Sequence, residues 1–111
     1  MPIQQADYSN LNHEEMAASI GLNVKHMPIL IDSFVQESNG AITKLQDAIE
    51  ENNYDAIHKS AHFIKGSAGN LKFNEIYEMC QEMEKEASNA NDAFDYNGYY
   101  AAVVAAIGTI K

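Results

Sequence analysis

Four residues on one face of a predicted helix have the types and spacing of a chemical site. In the stretch 61–71, His62 is followed by Lys65, Gly66 and Gly69 at three, four and seven residues. With about 3.6 residues per turn, these spacings place all four on the same side of a helix. A glycine inside a helix costs about 1 kcal/mol relative to alanine, so two on one face indicate close approach by another backbone or a bulky group. The pattern predicts a histidine and a lysine presented to a partner.

The opposite side of the same helix is apolar. Its residues recur at alternating spacings of four and three: Ile57, Ala61, Ile64, Ala68 and Leu71. This periodicity is typical of a helix face that packs against a protein core. We therefore expect His62 to lie on the side that faces away from the core.

The same stretch resembles a known family signature. His-x-x-Lys-Gly-Ser-Ala/Ser-x-x-Leu is the signature of histidine phosphotransfer (HPt) domains. The residues of this chain that match it are His62, Lys65, Gly66, Ser67, Ala68 and Leu71. The resemblance extends downstream to Cys80, Met83 and Glu84, which match the family's Cys-x-x-Leu-Glu segment, and the layout is similar from about Leu11 to the C-terminus.

The resemblance implies a fold and a function. HPt domains are four-helix bundles that relay phosphoryl groups between aspartates of receiver domains. His62 would accept the group from a receiver domain of a hybrid sensor histidine kinase and pass it to the receiver domain of a response regulator. The chain would be a phosphotransfer carrier without an ATP-binding or kinase domain, and so not an enzyme. It would need no cofactor of its own, because the Mg²⁺ of the reaction belongs to the partner receiver domain.

Each site residue then has an expected role. A histidine can be phosphorylated when one ring nitrogen is unprotonated, and an imidazole pKa of about 6.5 allows this near neutral pH. The other ring nitrogen needs an acceptor that fixes the tautomer. By resemblance to the phosphotransfer domain of chemotaxis histidine kinases, that acceptor would be Glu84, with Gln81 as an auxiliary polar contact. Lys65 would offset charge on the phosphoryl oxygens.

The sequence departs from the family after the last signature residue. Many HPt domains have glycine after the leucine, and this chain has Lys72. The departure bears on the turn that ends the helix and not on the phosphoryl chemistry. We interpret Lys72 as a solvated turn residue, with the alternative that it adds positive charge near the phosphoryl site.

The rest of the chain predicts further helices and no strand. Asn12 and Glu15 resemble a capping box that opens a short helix, which Gly21 would end. Four longer helices follow: from Val24 to about Glu51, from the Asn52-Asn53 turn to about Leu71, from an Asn74 cap to about Ser88-Asn89, and from about Asp92 to Ile110. Asn39-Gly40 is a possible break, but the apolar register continues across it.

Short connections between long helices imply antiparallel neighbours. The predicted fold class is therefore all-α, an antiparallel up-down four-helix bundle with a short extra N-terminal helix. Residues 1–111 would form a single HPt-like domain, with 1–11 as an irregular lead-in. Four apolar residues fit core positions or, alternatively, an apolar docking patch near the histidine that partners would approach: Met16, Ile20, Met27 and Ile31.

Composition narrows the possible partners and location. The 111 residues carry a formal charge of −9, which opposes binding to nucleic acid or to an anionic membrane surface. The single cysteine, Cys80, cannot form an internal disulfide, which fits a reducing compartment. The apolar stretch 99–110 is shorter than the roughly 20 residues that a membrane span needs. We expect a cytoplasmic monomer, although a spare apolar face of the bundle could equally serve a dimer.

Two other functions are compatible with the same residues. The chain could be a receiver-binding module that keeps the docking surface without phosphate turnover. It could also bind a metal, because His58 and His62 are four residues apart and an i, i+4 pair can ligate zinc. A solvated histidine at the rim of the site is the simpler interpretation of His58.

Overall fold

The structure is a computed structural model that describes residues 3–110. Within that range all regular structure is helical, which confirms the all-α prediction. Five α-helices and one 3-10 turn follow one another: α1 (His13–Ile20), the 3-10 turn (Val24–His26), α2 (Met27–Glu50), α3 (Tyr54–Asn70), α4 (Asn74–Ser88) and α5 (Tyr96–Gly108). None of these helices is long and apolar enough to span a membrane.

The residues predicted to begin and end helices α1 and α3 do so by hydrogen bonding to the backbone. The Asn12 side chain accepts from the N–H of Glu15 at the start of α1, and Asn53 accepts from the N–H of Ala56 at the start of α3. Gly21 ends α1 with a φ of 73°, a left-handed conformation that glycine adopts without a steric penalty. Local hydrogen-bonding chemistry therefore sets these helix ends.

The start of the long second helix was predicted three residues too early. It begins at Met27 and not at Val24, because the three residues before it form the 3-10 turn. Pro28 then lies in the first turn of α2, where its missing N–H removes no helical hydrogen bond. The helix continues through Asn39-Gly40 without a break.

The start of the last helix was also predicted too early. α5 begins at Tyr96 rather than near Asp92. Asp95 caps it, because its carboxylate accepts a hydrogen bond from the N–H of Gly98 at 2.9 Å. The residues between Asp92 and Asp95 form turns and not helix. The hydrogen bond of the Asp95 cap therefore sets the start of α5, although the apolar pattern begins earlier in the sequence.

An aromatic cluster fixes the turn between α3 and α4. Phe73, and not the predicted Asn74, precedes the first residue of α4 as its cap. Its ring is buried and lies 5.1 Å from the ring of Phe34 and 4.7 Å from that of Tyr8, measured between centroids. Burial of this ring anchors the turn to α2 and to the N-terminal segment.

The N-terminal segment has no helix in residues 3–11 but is bound to the bundle. The Tyr8 hydroxyl donates to the Glu75 carboxylate at 2.7 Å, and the Tyr8 N–H donates to Thr109 Oγ1 at 2.8 Å. Gln4 donates from its side-chain amide to Glu78 at 3.0 Å. The segment thereby joins the start of α4 to the end of α5.

The structure supports the core interpretation of Met16, Ile20, Met27 and Ile31 over the alternative of an open docking patch. Met27 and Ile31 are buried, because they continue the core-facing register of α2. Met16 and Ile20 are partly buried and pack against that core from α1. The four residues therefore hold α1 on the bundle.

Helix α3, which carries His62, packs between α2 and α4. α3 packs against α2 and α4, α5 packs against the same two helices, and α1 packs against α2. The shared apolar interior covers the inner faces of α2 to α5. The orientation of residues on α3 is thus fixed from two sides.

The turn after α3 contains a strained residue. Lys72 has a φ of 63°, in the left-handed region that disfavours side chains other than glycine, asparagine and aspartate. We predict that Lys72→Gly raises the free energy of unfolding by about 1 kcal/mol in urea denaturation, because glycine removes this penalty. Lys72→Ala is the control, because it removes most of the same side chain but keeps a Cβ. If Lys72→Ala raised the free energy of unfolding as much as Lys72→Gly does, the explanation by backbone strain would be wrong.

Candidate functional site

The predicted orientation of the histidine helix is confirmed. Ile57, Ala61, Ile64 and Ala68 are buried in the core. The side chain of His62, on the other side of α3, is 65% exposed. The apolar periodicity of α3 thus turns the imidazole out toward solvent at the boundary between α3 and α4.

A single carboxylate on α4 receives both basic side chains of this face. Glu84 Oε2 accepts a short hydrogen bond from Nδ1 of His62, and Glu84 Oε1 accepts one from Nζ of Lys65 at 2.5 Å. The Glu84 side chain is only 13% exposed, so these contacts are partly shielded from water. Partial burial opposes ionisation of this carboxyl group, but the hydrogen bonds and charges of Lys65 and His62 outweigh it and hold the pKa of Glu84 below its usual value.

The contact with Glu84 determines which nitrogen of His62 is free. An ionised carboxylate can only accept hydrogen bonds, so the proton of a neutral His62 ring is assigned to Nδ1. Nε2 then carries the unprotonated lone pair on an exposed side chain. In its neutral form His62 is therefore an oriented nitrogen nucleophile.

Lys65, which was expected to offset charge on the phosphoryl oxygens, is paired with Glu84 in this structure. Its side chain is 18% exposed, it pairs with Glu84, and its Nζ lies 6.0 Å from the centroid of the Tyr77 ring. In this arrangement its charge neutralises the carboxylate that orients the imidazole. The ammonium group has three N–H donors, so it can keep this contact and still donate to a phosphoryl oxygen.

The two glycines of the face are not equivalent. A Cβ added at Gly69 would lie 3.2 Å from Cδ2 of Tyr77, so a contact inside the chain already explains that glycine. A Cβ added at Gly66 would meet nothing within 4 Å. Only Gly66 therefore leaves open space beside the histidine that packing within the described chain does not account for.

Two further polar residues lie in a shallow groove beside Glu84. Gln81, predicted as an auxiliary contact, lines the groove with an exposed side chain, but the described residues show no hydrogen bond from it to His62 or Glu84. His58, predicted to be solvated, is half-buried and its Nδ1 lies 2.8 Å from Ser88 Oγ. Sequence reasoning missed Ser88, although Ser88 follows Glu84 by one helical turn, as His58 precedes His62.

The residues that the structure describes contain no group of three or more histidine, cysteine or acidic side chains that could hold a metal. The rings of His58 and His62 lie nearly parallel, 8° apart, with centroids separated by 6.2 Å. Each Nδ1 faces a protein oxygen, from Ser88 and from Glu84 respectively. The metal-binding alternative thus receives no support from this geometry.

The low pKa of Glu84 makes stability depend on pH in a defined direction. A carboxyl group whose pKa is lowered by folding stabilises the fold above its unfolded pKa of about 4.3, and this contribution disappears as pH falls through the folded pKa. We predict that the difference in unfolding free energy between the wild type and Glu84→Gln narrows as pH falls below about 4.

Urea denaturation across this range measures the effect. In a Lys65→Met background the narrowing should be smaller, because the ammonium group that lowers the pKa is gone. A difference that stays unchanged down to about pH 3 would contradict the assigned shift.

Comparison with known proteins agrees with the site geometry. The family model described as Hpt domain matches residues 29–106, more than two thirds of the chain. The match includes α3, α4 and the whole His62–Lys65–Glu84 cluster. No curated protein and no solved structure gave a significant match. The model match alone covers enough of the sequence to assign the family: the chain belongs to the Hpt domain family, the phosphocarrier modules of two-component signalling.

Proposed function

We propose that this chain is a phosphoryl carrier of a multistep phosphorelay, with His62 as the acceptor. The observation that carries the proposal is the contact between His62 Nδ1 and the Glu84 carboxylate, which in the neutral ring assigns the free lone pair to Nε2 of a largely exposed side chain. Membership of the Hpt family supports phosphotransfer with receiver domains in general. The residue roles and the relay direction are our inference.

The transfer step follows from this tautomer. The Nε2 lone pair of His62 attacks the phosphorus of a receiver aspartyl phosphate, a P–N bond forms, and the P–O bond to the aspartate breaks. The receiver regains its carboxylate, and the proton on Nδ1 stays in contact with Glu84. The carboxylate thereby stabilises the positive charge that the ring acquires as the bond forms. The reverse attack, by an aspartate of a second receiver domain, passes the group on.

The Lys65–Glu84 pair solves an electrostatic problem in this step. An unpaired carboxylate beside the acceptor would repel an incoming phosphoryl group, which carries negative charge on its oxygens. Lys65 cancels that repulsion while Glu84 still orients the imidazole. We infer that Lys65 acts mainly through Glu84 and that Gln81, exposed in the groove, contacts the transferred group or the partner.

The proposal includes the expected context. Partners are receiver domains of a hybrid sensor histidine kinase and of a response regulator, with Mg²⁺ bound by the receiver. The chain acts in the cytoplasm as a single monomeric domain without an ATP site, a cofactor of its own or enzymatic turnover. The packing of α3 and α5 against both α2 and α4 is compatible with an antiparallel up-down arrangement of these four helices, which we infer for the bundle.

Phosphoryl transfer from a phosphorylated receiver domain tests the proposal. We expect the wild type, incubated with the donor and Mg²⁺, to gain one phosphate in intact mass, and His62→Gln to gain none. The adduct should be labile in acid and stable in base, as a phosphoramidate bond is. His26→Gln, which removes an exposed histidine from the start of the bundle, is the matched control and should be labelled like the wild type.

The docking-module alternative has a different outcome. If neither the wild type nor His62→Gln gains phosphate from several receiver domains that still bind the chain, the carrier function is rejected. Binding without transfer would then assign the exposed surface around His62 to recognition alone.

The glycine pair offers a separate test of partner approach. Gly66→Ala should raise the midpoint of thermal unfolding. Alanine is more favourable than glycine inside a helix by about 1 kcal/mol, and its Cβ at this position would meet nothing within 4 Å. The same variant should slow transfer by about tenfold if a receiver backbone contacts this position. Gly69→Ala is the comparison and should gain little stability, because its Cβ would press on Tyr77. A wild-type transfer rate for Gly66→Ala would place Gly66 outside the interface.

A further inference from the structure

A second imidazole is attached to the helical turn that carries Glu84. Nδ1 of His58 lies 2.8 Å from Ser88 Oγ and 3.3 Å from the backbone carbonyl oxygen of Glu84. The ring is stacked beside that of His62, one turn along α3. Both protein partners of His58 Nδ1 belong to α4, so this side chain links the two helices at the acceptor.

Hydrogen-bond donors and acceptors fix the tautomer of neutral His58. The Ser88 hydroxyl donates its single proton to the Glu84 carbonyl at 2.9 Å, so it can only accept from His58. The carbonyl oxygen can likewise only accept. Neutral His58 therefore holds its proton on Nδ1 and leaves Nε2 bare.

The bare nitrogen faces the oxygen that orients the phosphoryl acceptor. His58 Nε2 lies 3.9 Å from Glu84 Oε2, the same oxygen that binds Nδ1 of His62. While Nε2 is unprotonated it has no hydrogen to offer, and Oε2 remains with His62. Once Nε2 binds a proton, a cation stands beside Oε2 and competes with His62 for it, in a place where partial burial strengthens the attraction.

We propose that His58 is a positioning residue for the acceptor: in its neutral form it holds the Glu84 turn in place, and its protonation withdraws the carboxylate from His62. The charged groups that line the groove with His58 are Glu82, Glu84 and Lys85 on α4, and the ring of His62 is stacked beside it on α3. Glu82 and Lys85 carry opposite charges, and Lys65 stays on the other carboxylate oxygen. The competition for Oε2 is therefore between the two imidazoles.

The proposal changes the expected pH profile. It rests on the proposed acceptor function of His62, because it concerns the regulation of that site. Fast phosphorylation then requires two neutral rings, His62 to attack and His58 to leave Glu84 in place. On the acid side the rate should fall more steeply than the about tenfold per pH unit that one proton gives, until the contribution of the Glu84 contact is lost.

A small phosphoryl donor separates this property from receiver recognition. With phosphoramidate, a P–N bond to His62 Nε2 forms as the P–N bond of the donor breaks and ammonia leaves. The rate is followed by intact mass between about pH 5 and pH 8 for the wild type, His58→Asn and His58→Ala. The phosphate that His62→Gln gains measures labelling of the other histidines, and it is subtracted from the phosphate gained by the other variants and the wild type. Dividing wild-type by variant rates cancels the pH dependence of the donor.

His58→Asn keeps a side-chain N–H near Nδ1 but cannot titrate. We expect the ratio of wild-type to His58→Asn rates to be near one at about pH 8 and to fall to about one tenth at about pH 5, where it levels off because the remaining rate no longer depends on the Glu84 contact. His58→Ala loses the link to α4 and should be about threefold slower than His58→Asn at pH 8. His13→Asn, at the start of α1, is the control whose ratio should not vary with pH.

Each outcome decides the matter. A wild-type to His58→Asn ratio that is constant with pH overturns the proposal. If phosphoramidate does not label His62 of the wild type, the same ratio is measured with a phosphorylated receiver domain as the donor, and a constant ratio there overturns it. If phosphoramidate gives the expected profile but receiver domains give no transfer, the carrier function fails and the His58 assignment stands. If receiver transfer succeeds and the ratio is constant, only the role of His58 is rejected.

Discussion

The functional face depends on one partly buried carboxylate. The Glu84 carboxylate accepts hydrogen bonds from the side chains of His62 and Lys65. The backbone carbonyl of Glu84 accepts one from the Ser88 hydroxyl. Within α4, the residues that make these contacts belong to a single helical turn, from Glu84 to Ser88. That turn is held by Met83 on the core side, which is fully buried, so the depth of the carboxylate is set by hydrophobic packing. Small changes in the core beneath α4 would thus be transmitted to the imidazole.

The charge balance of the site contrasts with that of the whole chain. The protein carries a formal charge of −9, and a carboxylate beside the proposed phosphoryl acceptor would add to the repulsion of an anionic group. The Lys65 ammonium group, bound to Oε1, makes the immediate surroundings of His62 close to neutral. The general acidity of the surface is then free to favour partners with basic or mixed surfaces.

Periodicity was sufficient to predict the helices, and local competition explains where it failed. The apolar register correctly predicted that α3 buries Ile64 and exposes His62, because burial of one face is a property of sequence spacing. The starts of α2 and α5 were misplaced because a 3-10 turn and the Asp95 cap stabilise other conformations at those points. Pattern alone does not rank such local hydrogen bonds against another turn of helix.

Within the site, residues on one helix were easier to predict than contacts between helices. The common face of His62 and Lys65 follows from their spacing. The contact of Glu84 with His62 was expected from family resemblance alone, and the bond between His58 and Ser88 was not expected. These pairs are separated by 22 and 30 residues and meet only because α3 packs against α4. Their rotation and register depend on core packing, which single-sequence patterns do not resolve.

The hydrogen bond between Tyr8 and Thr109 has an architectural consequence. It holds Tyr8 at the end of α5, whereas Ile3 lies beside Gly98 at the start of the same helix. The intervening residues bind α4 as well, since Gln4 contacts Glu78 and Tyr8 contacts Glu75. The irregular segment therefore runs along the seam between α4 and α5, and a chain without it would expose that seam to water.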